Sequence, residues 1–317
     1  MDFDDPKAFW NHQAATPEGA RLAVDGSGDE RTLQLTGAFS AAQARAALDP
    51  QPRDRIFELG CGVGRIGREL VGEVALWHGV DISENMLAVA RERLADAGNA
   101  RFDVLDGPRL PMLADASFDK GYCVAVFIHM DKEDMVLFLR EVARVLRPGG
   151  LFYFDHWNLA HPVGWKRFSA EVDEIGRRGP GRRKDVARNQ FCVPQELEAY
   201  VRGAGLEPLL VIADTPNAQV VCRKPDGDAA AAARETARLR DAAPRIDYGP
   251  QWTAYFEAIV DAEAAGQPPQ RLRELLAAAP AGDATAAMFR AWIAGLWRLR
   301  AARWGELPAD LQEPKQE

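Results

Sequence analysis

Glu58-Leu59-Gly60-Cys61-Gly62-Val63-Gly64 sets three glycines at alternate positions behind a short apolar run, with a carboxylate just ahead of the first. Glycine adopts positive φ and has no side chain to block a ligand, so bare main chain here can approach a bound molecule closely. The next acids at the ends of apolar runs are Asp81, 17 residues after Gly64, and Asp106. A carboxylate at the first place can accept hydrogen bonds from both hydroxyls of a ribose. One at the second can meet the amino group of adenine. The set points to an adenosyl ligand, and its kind stays open. Gly62-Val63-Gly64-Arg65-Ile66-Gly67 also satisfies the dinucleotide fingerprint, and Asp81 suits the ribose of NAD equally well. A pyrophosphate wants its charge at a helix N-terminus. A methionine tail brings an ammonium instead, which Glu58 could hold directly or through water.

Five histidines limit the choice of general base. His129, at the carboxyl end of a fourth apolar run, and His156, just after a fifth, are the two candidates. His12, His78 and His161 read as incidental. Asp131, Asp155 and Asn158 offer oxygen ligand types for a hard cation, which needs several. That reading is the less favoured one, and no metal is expected.

The elements that must position these groups alternate. Strands are expected at 55–59, 74–81, 101–105, within 118–130 and at 151–154. Helices are expected at 65–71, from Ser83 as N-cap to Ala97, and at 135–146, the last ended by Pro148-Gly149-Gly150. Strand–helix alternation implies parallel pairing with crossovers. After an interruption at 156–192 the pattern resumes with a helix at 194–204. Two strands then follow, at 206–213 and 218–222, joined by a tight turn that makes the last pair antiparallel. The predicted fold is a doubly wound, Rossmann-like α/β unit with a seven-stranded, mainly parallel sheet whose last strand is antiparallel. A helical N-terminal cap (1–52) precedes it, the α/β domain itself covers 53–225, and a helical C-terminal extension (226–317) follows.

In this order the pieces resemble the class I S-adenosylmethionine-dependent methyltransferases, in the broad subgroup that acts on small molecules. The resemblance covers about residues 53–224. It is carried by Glu58 to Gly64, Gly79-Val80-Asp81-Ile82-Ser83, Asp106 followed by Leu110-Pro111, and Ala116-Ser117-Phe118-Asp119. Ile128-His129-Met130, Leu146-Arg147-Pro148-Gly149-Gly150 and Pro194-Gln195-Glu196-Leu197 running to Ala204-Gly205-Leu206 complete it. It implies that Gly60, Cys61, Gly62 and Gly64 wrap the methionine moiety of S-adenosyl-L-methionine, with S-adenosyl-L-homocysteine as product. Asp81 would take the ribose, Ile82 the adenine face, and Asp106 with Gly107 the adenine edge. Cys123 and Val124 would touch cofactor and substrate. Met86 and Trp10 are added as further contacts, Trp10 closing over the cofactor from the first helix. The Asn-Pro-Pro-Tyr motif of many nucleic-acid amino-methylating relatives is absent.

Bulk composition narrows the acceptor. The net charge of −8 argues against a general nucleic-acid binder, and no zinc-type cysteine spacing occurs among Cys61, Cys123, Cys192 and Cys222. No apolar stretch is long enough to span a membrane. The acidic start, Met1 to Asp5, is unlike a secretory signal, so a cytoplasmic location is expected. A small-molecule acceptor follows, with O-methylation favoured over N-methylation. RNA or protein methylation and a noncatalytic adenosyl-binding scaffold are the alternatives. Lys166-Arg167, Arg177-Arg178 and Arg182-Arg183-Lys184 make the interruption basic, either as a lid for an anionic acceptor or as a solvated loop. In the tail, Phe289, Trp292, Ile293, Leu296 and Trp297 fall on one helical stripe. That stripe is read as core or as a homodimer interface, with a dock for a partner protein or carrier domain as the alternative.

Overall fold

In a computed structural model, residues 5–177 and 188–312 are described. Three helices open the chain: α1 (Pro6–Gln13), α2 (Pro17–Asp25) and α3 (Glu30–Leu48). Each starts on a side chain that accepts main-chain hydrogens: Asp5 from Lys7 and Ala8, Thr16 from Gly19, Asp29 from Thr32. A cap of this kind contributes about 1 kcal/mol, which matters for helices as short as α1 and α2.

The α/β unit then runs β1 (Arg55–Leu59), α4 (Gly67–Leu70), β2 (Leu76–Asp81), α5 (Glu84–Arg93), β3 (Ala100–Val104), β4 (Phe118–Cys123), α6 (Lys132–Val145) and β5 (Leu146–Trp157). It continues as α7 (Pro162–Arg177), α8 (Pro194–Gly203), β6 (Glu207–Ile212) and β7 (Asn217–Arg223). The seven strands lie in the order β3-β2-β1-β4-β5-β7-β6. Strands β1 to β5 pair in parallel, and β7 is antiparallel to both of its neighbours. This is the predicted sheet. The order reverses between β1 and β4, which opens a crevice at the strands' carboxyl ends.

Both faces of the sheet are buried, as parallel strands require. One face carries Phe57, Phe118, Phe152 and Phe154 against α6 and α8. The other packs Ile56, Trp77, Tyr122 and Tyr153 against α3 and α9 (Ala229–Ile246). Trp77 lies flat over Gly67, where a Cβ would stand 2.2 Å from its ring. The third glycine of the dinucleotide-like fingerprint is thus there for packing. The α4 helix that follows has four residues, fewer than the expected 65–71.

Helices α10 (Gly249–Ala265), α11 (Gln270–Ala277), α12 (Ala284–Leu299) and α13 (Ala301–Trp304) close the chain. They share a core of Trp252, Tyr255, Phe289, Ile293 and Trp297, onto which Leu35 and Phe39 of α3 pack. The predicted stripe is therefore spent inside the chain: Phe289 and Ile293 are fully buried, and Leu296 and Trp297 nearly so. Gly295 of α12 sits so close to Ser27 that a Cβ would come within 2.7 Å of it. Arg298 reaches Asp29 at 3.8 Å. The end of the chain is packed onto its beginning.

Three local differences from the sequence reading have physical causes. Pro148-Gly149-Gly150 stops α6, yet β5 begins already at Leu146, and the ladder with β4 absorbs the glycines as an irregularity. Helix α2 carries Pro17 at its first turn and Gly26 as a left-handed C-cap, signals that Gly19 and a weakly apolar composition hid. The interruption holds α7, whose Lys166 and Arg167 face the carboxylates of α10 rather than solvent. Arg178 and Arg182-Arg183-Lys184 lie outside the described residues. Among the described residues no helix is long and apolar enough to cross a membrane.

Candidate functional site

The carboxyl ends of β1, β2 and β4 open into a cavity of about 790 Å³ that α1 and α2 cover. Its floor is the turn after β1. Gly60 and Gly62 have φ of 70° and 52°, in the left-handed region. A Cβ on Gly60 would stand 2.4 Å from the Val126 side chain of the loop after β4, so that side chain packs onto bare main chain as only glycine allows. The turn's amides are used internally. Gly60 and Cys61 donate to the carbonyl of Val80, Gly62 to Asp81 Oδ2 at 2.8 Å, and Gly64 to the carbonyl of Cys61. The turn therefore offers room and carbonyl edges, not a set of free N–H donors.

Beneath it lies Glu58, 3% exposed. It accepts from Tyr122 Oη at 2.7 Å, and Tyr122 in turn accepts from Trp77 Nε1 at 2.9 Å. Burial pushes the Glu58 carboxyl up to about 8, against the pull of the Tyr122 hydrogen bond and the Arg65 guanidinium. Removing a carboxylate from water disfavours its charged form unless a cation arrives. Asp81 is also raised by burial, opposed by the Ser83 and Gly62 amides that fix its two oxygens. Each oxygen keeps a lone pair for a further donor. Asp106 is exposed at the mouth and pairs with Lys7 of α1 at 3.6 Å.

Helix α1 is tied across the crevice. Ser83 Oγ donates to Asn11 Oδ1 at 2.9 Å, and Asn85 Nδ2 donates to the Asn11 carbonyl at 2.9 Å. This places Trp10 edge-on to His129, with ring centroids 5.2 Å apart. His129 stands on the short 3₁₀ turn after β4, on the cavity wall.

Of the sequence candidates, Trp10, Glu58, Gly60, Cys61, Gly62, Asp81, Ile82, Met86, Asp106, Gly107, Val124 and His129 all line this cavity. Three do not. Gly64 backs onto α5, where a Cβ would meet Leu94 at 2.7 Å. Cys123 is fully buried in the core, its thiol pushed up by burial. His156 is sealed between its neighbours, with Nδ1 donating to the Trp157 carbonyl at 3.1 Å and Nε2 3.8 Å from Cys192 Sγ. Burial lowers it to about 4, so it is neutral and out of reach of the cavity. These placements correct the sequence reading of the three residues.

Asp155 and Asn158 also differ from the cation reading. Asp155 accepts from Ala125 and Tyr248, and Asn158 bonds the carbonyls of Ala213 and Thr215. Residues not singled out from sequence as candidates add to the lining, among them Lys7, Arg65, Ile128, Asp134, Phe138 and Gln190. Arg65 was legible, lying inside the quoted glycine motif. Gln190 was not, because only the packing of the chain beyond α7 brings it back to Ile128.

The charge of the cavity is one-sided. Among the described residues, Asp5, Glu58, Asp81, Asp106, Asp131 and Asp134 line it beside two cations, Lys7 and Arg65. Arg65 is itself held by the Thr36 carbonyl and Ser40 Oγ. Asp134 is pushed up by burial and by the neighbouring Asp131 and Glu133. Lys166, Arg167 and Arg188 of the basic stretch pair with carboxylates, Lys166 and Arg167 reaching α10, and none lines the cavity.

Comparison with known proteins agrees with this architecture. Residues 56–150 match the family model described as a methyltransferase domain. The chain is 40% identical over 122 residues to methyltransferase GfsG of Streptomyces halstedii, covering 37% of this chain and 43% of that one. It is 29% identical over 205 residues to the 27-O-demethylrifamycin SV methyltransferase of Amycolatopsis mediterranei, covering 63% and 65%. The chain spans about half the length of the curated relatives it matches. Among solved structures, the Haemonchus contortus phosphoethanolamine N-methyltransferase 1 complex superposes with a TM-score of 0.52 at 15% identity, over 75% of this chain and 53% of that one. At that identity the likeness is one of fold.

Proposed function

We propose that this chain, whose residues 56–150 match the methyltransferase-domain model, is an S-adenosylmethionine-dependent O-methyltransferase acting on an uncharged, hydroxylated small molecule. The observation that carries the reading is the chemistry of the turn after β1. A dinucleotide needs free amides at a helix N-terminus for its pyrophosphate. Here the amides of Gly60, Cys61, Gly62 and Gly64 are engaged, α4 is a single turn, and a buried acid lies beneath. A cationic ligand fits that floor and an anionic one does not.

S-adenosylmethionine, when bound, supplies a methyl group on a positively charged sulfur. Glu58 would balance the ammonium of its amino-acid end, and Gly60 to Gly62 would leave room for its chain. Asp81 would accept from the ribose hydroxyls, with Ile82 and Met86 against the base. Trp10 and α1 would exclude water. His129, beside Trp10 on the cavity wall, would take the proton of the acceptor hydroxyl, which must leave as attack proceeds. Beyond that, methyl transfer asks chiefly for alignment of the two reactants.

The acceptor is read as uncharged because the carboxylates that line the cavity outnumber its cations, and the described basic side chains of the interruption face α10 or other acids. A relative named for an O-demethylated substrate supports oxygen as the methylated atom. A cytoplasmic setting suits such a reaction, and a monomer is expected because the tail stripe is buried. Calorimetric titration with S-adenosylhomocysteine and with NAD tests the donor site. Binding of NAD alone would overturn the reading. A screen of phenols, alcohols and carboxylic acids with methyl-labelled donor then tests the acceptor class, with label expected on neutral hydroxyls.

A further inference from the structure

The loop that forms the cavity wall after β4 is held from a distant part of the chain. Ala125 has φ of 58°, a left-handed conformation that costs an alanine energy unless its surroundings enforce it. The enforcing group is Asp155, 2% exposed at the end of β5, whose Oδ1 accepts from the Ala125 amide at 2.7 Å. The other oxygen, Oδ2, accepts from Tyr248 Oη at 2.8 Å. Tyr248 is the residue before α10, and its ring is fixed between Trp252, at 4.3 Å between centroids, and Phe39 of α3, at 6.0 Å. On the other side, Ala125 is followed by Val126, the side chain packed into the space over Gly60. The path is thus continuous from the C-terminal helices to the glycine turn.

We propose that Tyr248 is a positioning residue of the active site: through Asp155 it fixes the Val124–Val126 wall against Gly60, so that the C-terminal helices set the shape of the donor cavity. Tyr248 touches neither the cavity nor the turn. Its effect passes through one buried carboxylate with two donors. Once the second donor is gone, that carboxylate is free to turn and no longer holds Ala125 in one place. The donor-affinity part of the inference rests on the function proposed above, while the loop-order part does not.

The test compares the full chain with Tyr248→Phe, which keeps the ring and its stacking. Amide exchange of the Ala125 region is measured in the free protein, and S-adenosylhomocysteine affinity by calorimetry. We expect exchange at Ala125 to quicken about ten-fold and affinity to fall several-fold, the scale on which one hydrogen bond to a charged group acts. The melting temperature should change little. Asp155→Asn keeps an acceptor for Ala125 and a donor for the Tyr248 oxygen, and should stay near wild type, whereas Asp155→Ala should lose both properties. Unchanged exchange at Ala125 overturns the inference, as does faster exchange with unchanged affinity. Uniform deprotection of the C-terminal helices would also overturn it, since that marks a merely structural bond. A wild type with no affinity for S-adenosylhomocysteine instead removes the functional reading, and is told apart because the Tyr248→Phe exchange result is read without ligand.

Discussion

Tyr122 donates its hydroxyl hydrogen to Glu58 across 2.7 Å at the floor of the cavity, and this buried pair waits for a cation. The Glu58 carboxyl is raised from 4.5 to about 8 by burial. Its contribution to stability is therefore full at acid pH, below about 4.5, and is lost as pH rises through about 8. At pH 7 the free protein holds Glu58 mostly protonated, and a bound ammonium pulls it to the carboxylate. Calorimetry with S-adenosylhomocysteine at pH 7, in buffers of differing ionisation enthalpy, should report proton release approaching one per site. Glu58→Gln should abolish the release. Buffer-independent heats in wild type would count against this account.

Two glycines with positive φ should respond differently to alanine. Gly60→Ala meets Val126 at 2.4 Å and closes the floor, so S-adenosylhomocysteine binding should vanish and the melting temperature should fall. Gly107→Ala has φ of 105° but open space around it. It should cost about 1–2 kcal/mol of stability through backbone strain and leave binding measurable. Equal loss of binding in both variants would show that the Gly60–Val126 approach is not what shapes the site.

Asp81→Ala removes the acceptor of the Gly62 and Ser83 amides as well as the proposed ribose partner. Affinity for S-adenosylhomocysteine should drop by about 1–3 kcal/mol. Asp81→Asn should fall between, because it still accepts one of the two hydrogens. An unchanged dissociation constant in Asp81→Ala would take this residue out of the site.

Turnover and binding should separate at His129. His129→Gln should lower the rate on a hydroxyl acceptor about 100-fold, in the range general bases contribute, while cofactor affinity stays within a few-fold. Retained turnover would move the proton acceptor to another group.

The tail stripe makes a prediction about mass and stability together. Phe289 is fully buried among Trp252, Tyr255 and Trp292. Phe289→Ala should destabilise by about 3–5 kcal/mol without changing the sedimentation coefficient of the folded fraction. Dissociation of a dimer on substitution would instead place the stripe at an interface.

The sheet was legible because its signals are local. Alternating apolar runs, glycine stops and the Ser83 cap lie within a few residues of the elements they mark, and β1 begins and ends where the sequence suggests. The lining residues at the ends of β1, β2 and β4 were legible for the same reason, since strand ends in a parallel sheet converge at one edge. What escaped depends on contacts far apart in the chain. Nothing in His156 itself says that Cys192 and the sheet will enclose it. Nothing near Asp155 announces Tyr248, 93 positions on. Gly64 and Gly67 carry the motif's spacing, but the bulk they yield to, Leu94 and Trp77, decides that they serve packing.

Ser27 and Gly295 lie in contact, and Arg298 reaches Asp29, so the last long helix braces the corner from which α1 and α2 reach over the cavity. Heat should then loosen both chain ends as one cooperative block. Access to the interior and survival of the tail would be a single thermal event, and a ligand that holds α1 shut should protect helices some 280 positions away along the sequence.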